Sequence, residues 1–209
     1  TMSSVIQIVV SPLGFTANEI GPIKVASNHA DAYVAAVIAA LEGIDFSNLS
    51  NITVDGSEGG LVVLGHDGVP LREMMWASDN SSAADATWCL KKFDEEWWLN
   101  EVGVIPDHSH TVTKLSWLHR SEPETWSKVC LVCSPADYIR WRLVNGSVGS
   151  MVTSPRDAGR TAMWSANSNA YSQATMTLID SDRDWSKVFP VVKMSGAIVG
   201  SLFGTLVNL

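Results

Sequence analysis

The sequence lacks the features that would place it in a membrane or on nucleic acid. No apolar run approaches the roughly 20 residues that cross a bilayer, and the longest apolar-leaning stretch, Ala32 to Leu41, ends in Glu42. Positive charge is scarce, because 14 Lys and Arg stand against 22 Asp and Glu for a net charge of -8. Such a balance disfavours general affinity for phosphate backbones. The first residues resemble no signal peptide. We therefore expect neither a membrane nor a nucleic-acid partner.

Cysteine is also scarce, with Cys89, Cys130 and Cys133 as the three thiols. An odd count without secretion features indicates reduced thiols and a cytoplasmic location. The last two form a C-x-x-C in the apolar, strand-like run "KVCLVCSP", whereas a redox pair normally opens a helix. No second Cys/His pair lies at zinc-site spacing. We predict two buried thiols that pack as small hydrophobic side chains, and no metal site.

The composition, 46% hydrophobic and 17% charged, is typical of a folded globular domain. The β-branched run Val5–Ser11 predicts a strand buried on both faces. A second strand at Pro22–Ser27 and a helix from an Asn28 cap to Gly43 follow. Next come a strand, a glycine-rich turn and a second strand, then a hairpin turn at Asp67-Gly68.

The second half of the chain is predicted to be mainly helical. "REMMWAS" reads as a short strand and "NSSAADATWCLKKF" as a helix, and three more helical segments are broken near Val104–Pro106 and at Pro123. A strand at Cys130 leads into a helix from about Pro135 to Val144, with proline in its first turn and glycine after its end. An irregular stretch and a short helix within "DSDRDWSKVFPVV" complete the layout. This order predicts an α/β fold with a mixed sheet flanked by helices.

The triplet Arg140-Trp141-Arg142 could indicate a nucleic-acid patch or ordinary packing. Alternate residues on a helix do not share a face, and the chain is acidic. We therefore expect Trp141 to pack in the interior and the two arginines to pair with carboxylates.

Several stretches carry a resemblance to a known family. "HTVTKLSWLHRSEPETWSKVCLVCSPADYIRWRLVNG" follows a T-K-L-x-W-L…E-P…P-x-D-x-[IL]-x-W-R-L-[TV]-G pattern almost throughout. "DGSEGGLVVLGHDGVPLR", "MMWASDNSSAADA", "TSPRDAGRTAMW" and "MTLIDSDRDWSKVFPVV" match further family segments in the right order. The chain resembles the N-terminal, sugar-binding domain of the FGGY carbohydrate kinases, and within that family it looks most like the xylulokinases.

The resemblance implies a ribonuclease H-like (actin-like ATPase) domain, the first of the two domains of a sugar kinase. It assigns 1–192 to this sugar-binding domain, with its start truncated, and 193–209 to a truncated tail that leads toward the ATP-binding domain. ATP and Mg would serve the complete enzyme, which phosphorylates a ketopentose such as D-xylulose. The family's catalytic Asp falls in a G-G-x-D segment beyond Leu209, so we expect this chain alone to be inactive.

The resemblance also implies binding residues. The substrate-binding candidates are Ser57, Glu58, Gly59, Trp76 and Asp79, and the candidates for the nucleotide-phosphate turn are Thr1, Ser3 and Ser4. Trp76 would line the sugar cleft by ring stacking, although core packing is an equal alternative. Asp79 would accept sugar hydroxyls, although capping a helix is the alternative.

The glycine at position 59 departs from the family, because xylulokinases place a sugar-contacting His there. This departure leaves the identity of the sugar open.

Two functions remain open from the sequence. The first is the sugar-binding portion of a xylulokinase-like enzyme, and the second is a non-catalytic remnant that binds a carbohydrate or a protein partner. A chain without its ATP-binding domain would expose the face that normally packs on it, so we also predict self-association.

Overall fold

The computed structural model describes residues 4–209, and its largest element is a six-stranded mixed sheet. The strands are β1 (Ser4–Ser11), β2 (Gly14–Ala17), β3 (Ile20–Lys24), β4 (Leu49–Gly56), β12 (Ile198–Leu202) and β13 (Thr205–Asn208). Their order is β12-β13-β4-β1-β2-β3. The first three strands form an antiparallel meander, β4 is parallel to β1, and β13 is parallel to β4.

One face of this sheet carries the first hydrophobic core. Ile6, Ile8 and Val10 are buried there with side chains of α1 (Ala30–Glu42) and α6 (Pro135–Leu143). On the other face Val5 keeps 38% of its surface exposed. The prediction that β1 is buried on both faces is therefore wrong, because both helices that contact this sheet lie on the same side of it.

Strand β5 (Gly60–Leu64) joins the two cores of the molecule. It pairs antiparallel with β6 (Met75–Trp76) and with β7 (Leu131–Cys133). Val62 and Leu64 point into the first core, whereas Leu61 and Val63 point into the second. Successive strand residues face opposite sides, so an uninterrupted apolar run here serves two cores at once.

The second core is built mainly by short helices. They are α2 (Ala83–Lys92), α3 (Glu95–Val102), α4 (Thr111–Ser121), α5 (Pro123–Lys128) and α8 (Gln173–Ile179). The breaks between α3 and α4 and before α5 fall where the sequence predicts them. Helix α6 also agrees with its prediction, since Ser134 and Asp137 form a reciprocal capping box around Pro135.

The segment after residue 149 differs from the prediction. It contains α7 (Pro155–Gly159) and the paired short strands β8 (Val152–Thr153) with β11 (Val191–Val192) and β9 (Trp164–Ser165) with β10 (Ala170–Tyr171).

The helix expected within residues 180–192 is absent there, and α8 ends before it. Asp180 and Asp184 each accept a hydrogen bond from the backbone amide two residues ahead. Such local turns compete with helix formation.

The last residues of the chain belong to the main sheet. Strands β12 and β13 form an antiparallel hairpin, and β13 lies beside β4. The family resemblance assigns 193–209 to a tail, and within it β12 and β13 form one edge of the main sheet.

The arginine-tryptophan triplet has the structural role expected for it. Arg140 is buried and contacts Asp137 at 2.9 Å, and Arg142 lies 2.6 Å from Asp31. Trp141 is largely buried. The expectation of interior packing and carboxylate pairing is confirmed.

The cysteine prediction is confirmed for one thiol of the C-x-x-C. Cys133 is buried, but Cys130 is exposed. Cys130 precedes β7 instead of lying within it, so the core does not cover its side chain.

Candidate functional site

Three loops and one arginine line an open cavity of about 350 Å³ with mostly polar residues. We define loop A as residues 57–59, loop B as 77–79 and loop C as 107–110. The cavity is lined by Ser57, Glu58, Gly59, Ala77, Ser78, His108, Ser109, His110 and Arg160. Its volume falls within the range of roughly 300–1,000 Å³ that is typical of small-molecule sites.

The strands deliver loops A and B to the same place. Loop A follows β4, and the Ser57 amide donates to the Val10 carbonyl of β1 at 2.8 Å. Loop B follows β6, and the Ala77 amide donates to the Gly59 carbonyl at 2.9 Å. Loop B is thus a continuation of the β5–β6 pairing, and its position is fixed by backbone bonds to loop A.

Loop C is shaped by Asp107. Its carboxylate accepts from the Ser109 amide at 2.8 Å, and its own amide donates to His110 Nδ1 at 3.0 Å. Burial lowers the pKa of His110, although the neighbouring Asp107 opposes this effect. The imidazole of His110 is therefore neutral near pH 7 and accepts a hydrogen bond within its own loop.

Glu58 ties loop A to loop B. Its two carboxylate oxygens accept from the Ser78 amide at 2.7 Å and the Ser78 hydroxyl at 3.0 Å. A carboxylate has about four lone-pair sites, so Glu58 keeps acceptor capacity toward the cavity. The sequence predicts direct ligand contact, and the structure adds a bridging role.

Gly59 leaves room for Arg160. A Cβ atom at position 59 would lie 3.2 Å from the Arg160 Cδ atom. The Arg160 guanidinium contacts Asp157 at 3.1 Å, which orients the side chain along the cavity wall. Arg160 is not among the residues predicted for the site, because it is separated from Gly59 by 101 positions and such a contact leaves no local pattern in the sequence.

Asp79 stands at the end of loop B and is partly buried. Its carboxylate accepts from the Ser81 amide at 2.9 Å, and its carbonyl accepts from Lys114 Nζ at 2.8 Å. Burial opposes ionisation, but the Ser81 hydrogen bonds and the positive charges of Lys114 and Arg72 keep the pKa of Asp79 below its usual value. Ser82 is the N-cap residue of α2, so Asp79 is not the cap that the alternative interpretation proposed.

Trp76 is not among the residues that line the cavity. It is 4% exposed, belongs to the first core and packs on Tyr33 with ring centroids 5.6 Å apart. Its indole nitrogen has no hydrogen-bond partner among the described residues. Of the two interpretations of Trp76, the geometry favours core packing.

Of the three residues expected at the nucleotide phosphates, the structure describes Ser4, which does not line this cavity. Thr1 and Ser3 lie outside the described residues. Ser4 begins β1, whereas loop A contacts the other end of that strand. Seven residue steps at about 3.3 Å each separate the two ends by about 23 Å.

The turn at the near end of β1 does not fit a phosphate group. Its sequence is Ser11-Pro12-Leu13-Gly14, and Pro12 has no amide hydrogen to donate. The Ser11 hydroxyl donates to the Gly14 carbonyl at 3.3 Å. Within residues 4–209 no group of three His, Cys, Asp or Glu side chains is placed to hold a metal ion.

A second, smaller cavity of about 20 Å³ lies against Gly59 and Arg160. Asp137 and Asp157 line it, and the Ser134 hydroxyl donates to Asp157 at 3.0 Å. Burial and the negative charge of Asp157 raise the pKa of Asp137 to about 6, despite the positive charge of Arg140. Of these two carboxylates, Asp157 contacts the Arg160 guanidinium and Asp137 contacts Arg140.

Comparison with known proteins identifies the domain. The sequence model for the N-terminal domain of the FGGY family of carbohydrate kinases matches residues 26–207. The chain belongs to the FGGY family.

The relatives include xylulose kinases. That of Streptomyces coelicolor is 30% identical over 152 residues, which are 72% of this chain and 30% of the relative. The solved xylulose kinase of Bifidobacterium adolescentis superimposes with a TM-score of 0.80 at 22% identity, covering 98% of this chain and 52% of that one. The Rhodospirillum rubrum xylulose kinase also gives 0.80, at 16% identity, covering 98% and 48%.

These findings confirm the predicted fold class, a ribonuclease H-like domain of the actin type with a mixed sheet flanked by helices. The chain spans about 30% of the length of the first curated relatives it matches and about half of the solved kinase chains. No described helix has the length and apolar character to cross a bilayer.

Proposed function

We propose that this FGGY domain is the sugar-binding portion of a xylulokinase-like enzyme, which transfers a phosphoryl group from ATP to a ketopentose such as D-xylulose. The observation that carries the proposal is the polar cavity between loops A, B and C, which includes Ser57, Glu58 and Gly59. A neutral polyol needs hydrogen-bond acceptors and donors in close array, and this cavity offers carboxylate, hydroxyl, imidazole and guanidinium groups.

The ligand's hydroxyl groups have identifiable partners. Glu58 accepts hydrogen bonds, Arg160 donates them, and the Ser57 and Ser109 hydroxyls can do either. Phosphoryl transfer depends mainly on positioning and charge neutralisation. The role of this chain is therefore to orient the sugar, and ATP with Mg would be held by the second domain that the family resemblance implies.

The binding test is calorimetric titration of the chain with D-xylulose, D-ribulose, L-ribulose and glycerol. We expect heat with one of the ketopentoses and its loss in the Arg160→Ala variant. The matched control is Arg156→Ala, since Arg156 is exposed on α7 and Arg160 is the C-cap residue of that helix. Absence of heat with every sugar would contradict the proposal for this chain.

A second candidate is a non-catalytic remnant that binds a carbohydrate or a protein partner. Two observations favour it. Gly59 stands where the xylulokinase pattern has a sugar-contacting His, and Arg160 fills the neighbouring space. Both candidates predict that the chain alone transfers no phosphate. The two candidates can be distinguished if the gene encodes a longer protein. A kinase requires a G-G-x-D segment and a nucleotide-binding domain in that longer protein, whereas a non-catalytic remnant does not. The cytoplasmic location stays a prediction under either candidate.

A further inference from the structure

Lys114 is a charged side chain without exposed surface, on the first turn of α4. Lysine is almost never fully buried unless it is paired. Its side chain reaches loop B, where it contacts Asp79. Burying an ammonium group costs free energy unless the group is hydrogen-bonded and paired with negative charge. The partners of Lys114 therefore indicate its role.

The ammonium group is aimed at loop B. Lys114 Nζ donates to the Asp79 carbonyl at 2.8 Å, and this carbonyl is its hydrogen-bond acceptor among residues 4–209. Loop B is thus held at two residues, by Glu58 through Ser78 and by Lys114 through Asp79. Both contacts are charge-assisted hydrogen bonds, which are stronger than neutral ones.

The charges around Lys114 are mostly negative. The carboxylates of Asp79, Glu58 and Asp107 favour its charged form, whereas burial, the largest effect, lowers its pKa to about 8. The other charged or titratable groups of this region are Arg72, which acts on Asp79, and His108, His110 and Arg160, which line the cavity. The ammonium group is therefore mostly protonated at neutral pH and offsets three carboxylates around one cavity.

We propose that Lys114 is a positioning residue of the site, whose ammonium group holds loop B in place and balances the carboxylates of loops A, B and C. It does not line the cavity, so it acts through Asp79 and not on the ligand. As far as ligand binding is concerned, the inference rests on the proposed function.

The test replaces Lys114 with Met, which keeps an unbranched apolar stem and removes the charge. Lys91→Met is the matched control, because Lys91 is exposed on α2. Amide hydrogen exchange of residues 76–82 is expected to accelerate about tenfold in Lys114→Met, since a hydrogen bond to a charged group is lost. Exchange of residues 135–143 in α6 should not change, and Lys91→Met should match the wild type throughout.

Sugar affinity gives the second readout. In the wild type we expect affinity for the bound ketopentose to fall as the pH rises through about 8, because the ammonium group loses its proton. In Lys114→Met affinity should be about tenfold lower at neutral pH and independent of pH in this range.

Failure of this inference is distinguishable from failure of the proposed function. If no sugar binds the wild type, the proposed function fails, while the exchange of loop B still tests Lys114. If Lys114→Met does not fold, the wild type alone can test the inference. The protection factors of the loop B amides, which are corrected for intrinsic exchange rates, should fall above about pH 8. Unchanged exchange of residues 76–82, in the variant or across this pH range, would overturn the inference.

Discussion

Replacing Asp137 by Asn should change how the stability of this domain depends on pH. Asp137 is 2% exposed, and its carboxylate lies between Arg140 and the negative Asp157. Burial and Asp157 raise its pKa to about 6 in the folded protein. In the unfolded chain an aspartate titrates near 3.9, which is about two pH units lower.

The sign of the effect follows from this direction. Because the folded state holds the proton more tightly, the stabilising contribution of Asp137 is complete below about pH 4 and is lost as the pH rises through about 6. Two pH units correspond to at most about 3 kcal/mol of unfolding free energy. Asn cannot ionise, so the variant lacks this loss. The two carboxylate oxygens of Asp137 accept from Arg140 and from the Ser134 amide, and Asn has only one side-chain oxygen. The variant therefore loses one of these hydrogen bonds, which lowers its unfolding free energy at every pH.

The assay is urea unfolding of wild type and Asp137→Asn between about pH 4 and pH 8. The difference in unfolding free energy between the variant and the wild type should shift in favour of the variant by about 2–3 kcal/mol from pH 4 to pH 8. The pH-independent cost of the lost hydrogen bond does not affect this shift. Asp182→Asn, at an exposed carboxylate, controls for the removal of one negative charge. A difference between wild type and Asp137→Asn that stays constant, or that moves in the opposite direction, would refute the reasoning.

Three further outcomes are expected. In native protein one thiol of three should react rapidly with a maleimide or aromatic disulfide, because Cys130 is exposed while Cys89 and Cys133 are buried; rapid labelling of Cys89, whose pKa burial raises to about 12, would contradict this. Gly59→Ala should leave unfolding free energy within about 1 kcal/mol of wild type, since the new methyl group meets the flexible Arg160 side chain, yet it should weaken sugar binding by displacing that side chain; unchanged affinity would disagree. Gly14→Ala should prevent stable folding, because its Cβ atom would lie 1.9 Å from the Ile23 carbonyl oxygen, and a circular dichroism melt like that of the wild type would count against it.

The parts of the fold that the sequence predicted well are those with local causes. Helix α6 begins with Ser134, Pro135 and Asp137, and the capping box and the proline act within a single turn. The breaks around α3, α4 and α5 likewise follow from prolines and glycines in the chain. Such signals need no knowledge of what the helix will contact.

The errors arise where distant elements decide the outcome. The apolar runs of β1 and β5 look alike in sequence. Of these two strands β5 is the one buried on both faces, because its sheet lies between the two cores. Cys130 illustrates the same limit, since its exposure depends on where β7 begins.

The candidate site could be predicted in part. Loop A was found because it follows a strand and matches a family segment, and it does line the cavity. Loop C and Arg160 come from other parts of the chain, and neither forms a pattern with loop A along the sequence. Lys114 is a fixed position of the T-K-L-x-W-L pattern, but the pattern does not indicate that its side chain is buried, because lysine is normally exposed.

The arrangement of the site also indicates how it can be tuned. Loops A, B and C leave rigid elements. Besides the backbone bond between Ala77 and Gly59, a few bonds from side chains to backbone help to fix their mutual positions, among them those of Glu58 and Lys114 with loop B and that of Arg160 with the Gly56 carbonyl beside loop A. Segments held by so few contacts open locally at lower free energy than the cores beneath them. A substitution in one of these three side chains should therefore alter ligand affinity more than global stability, whereas a change in β5 should lower stability first.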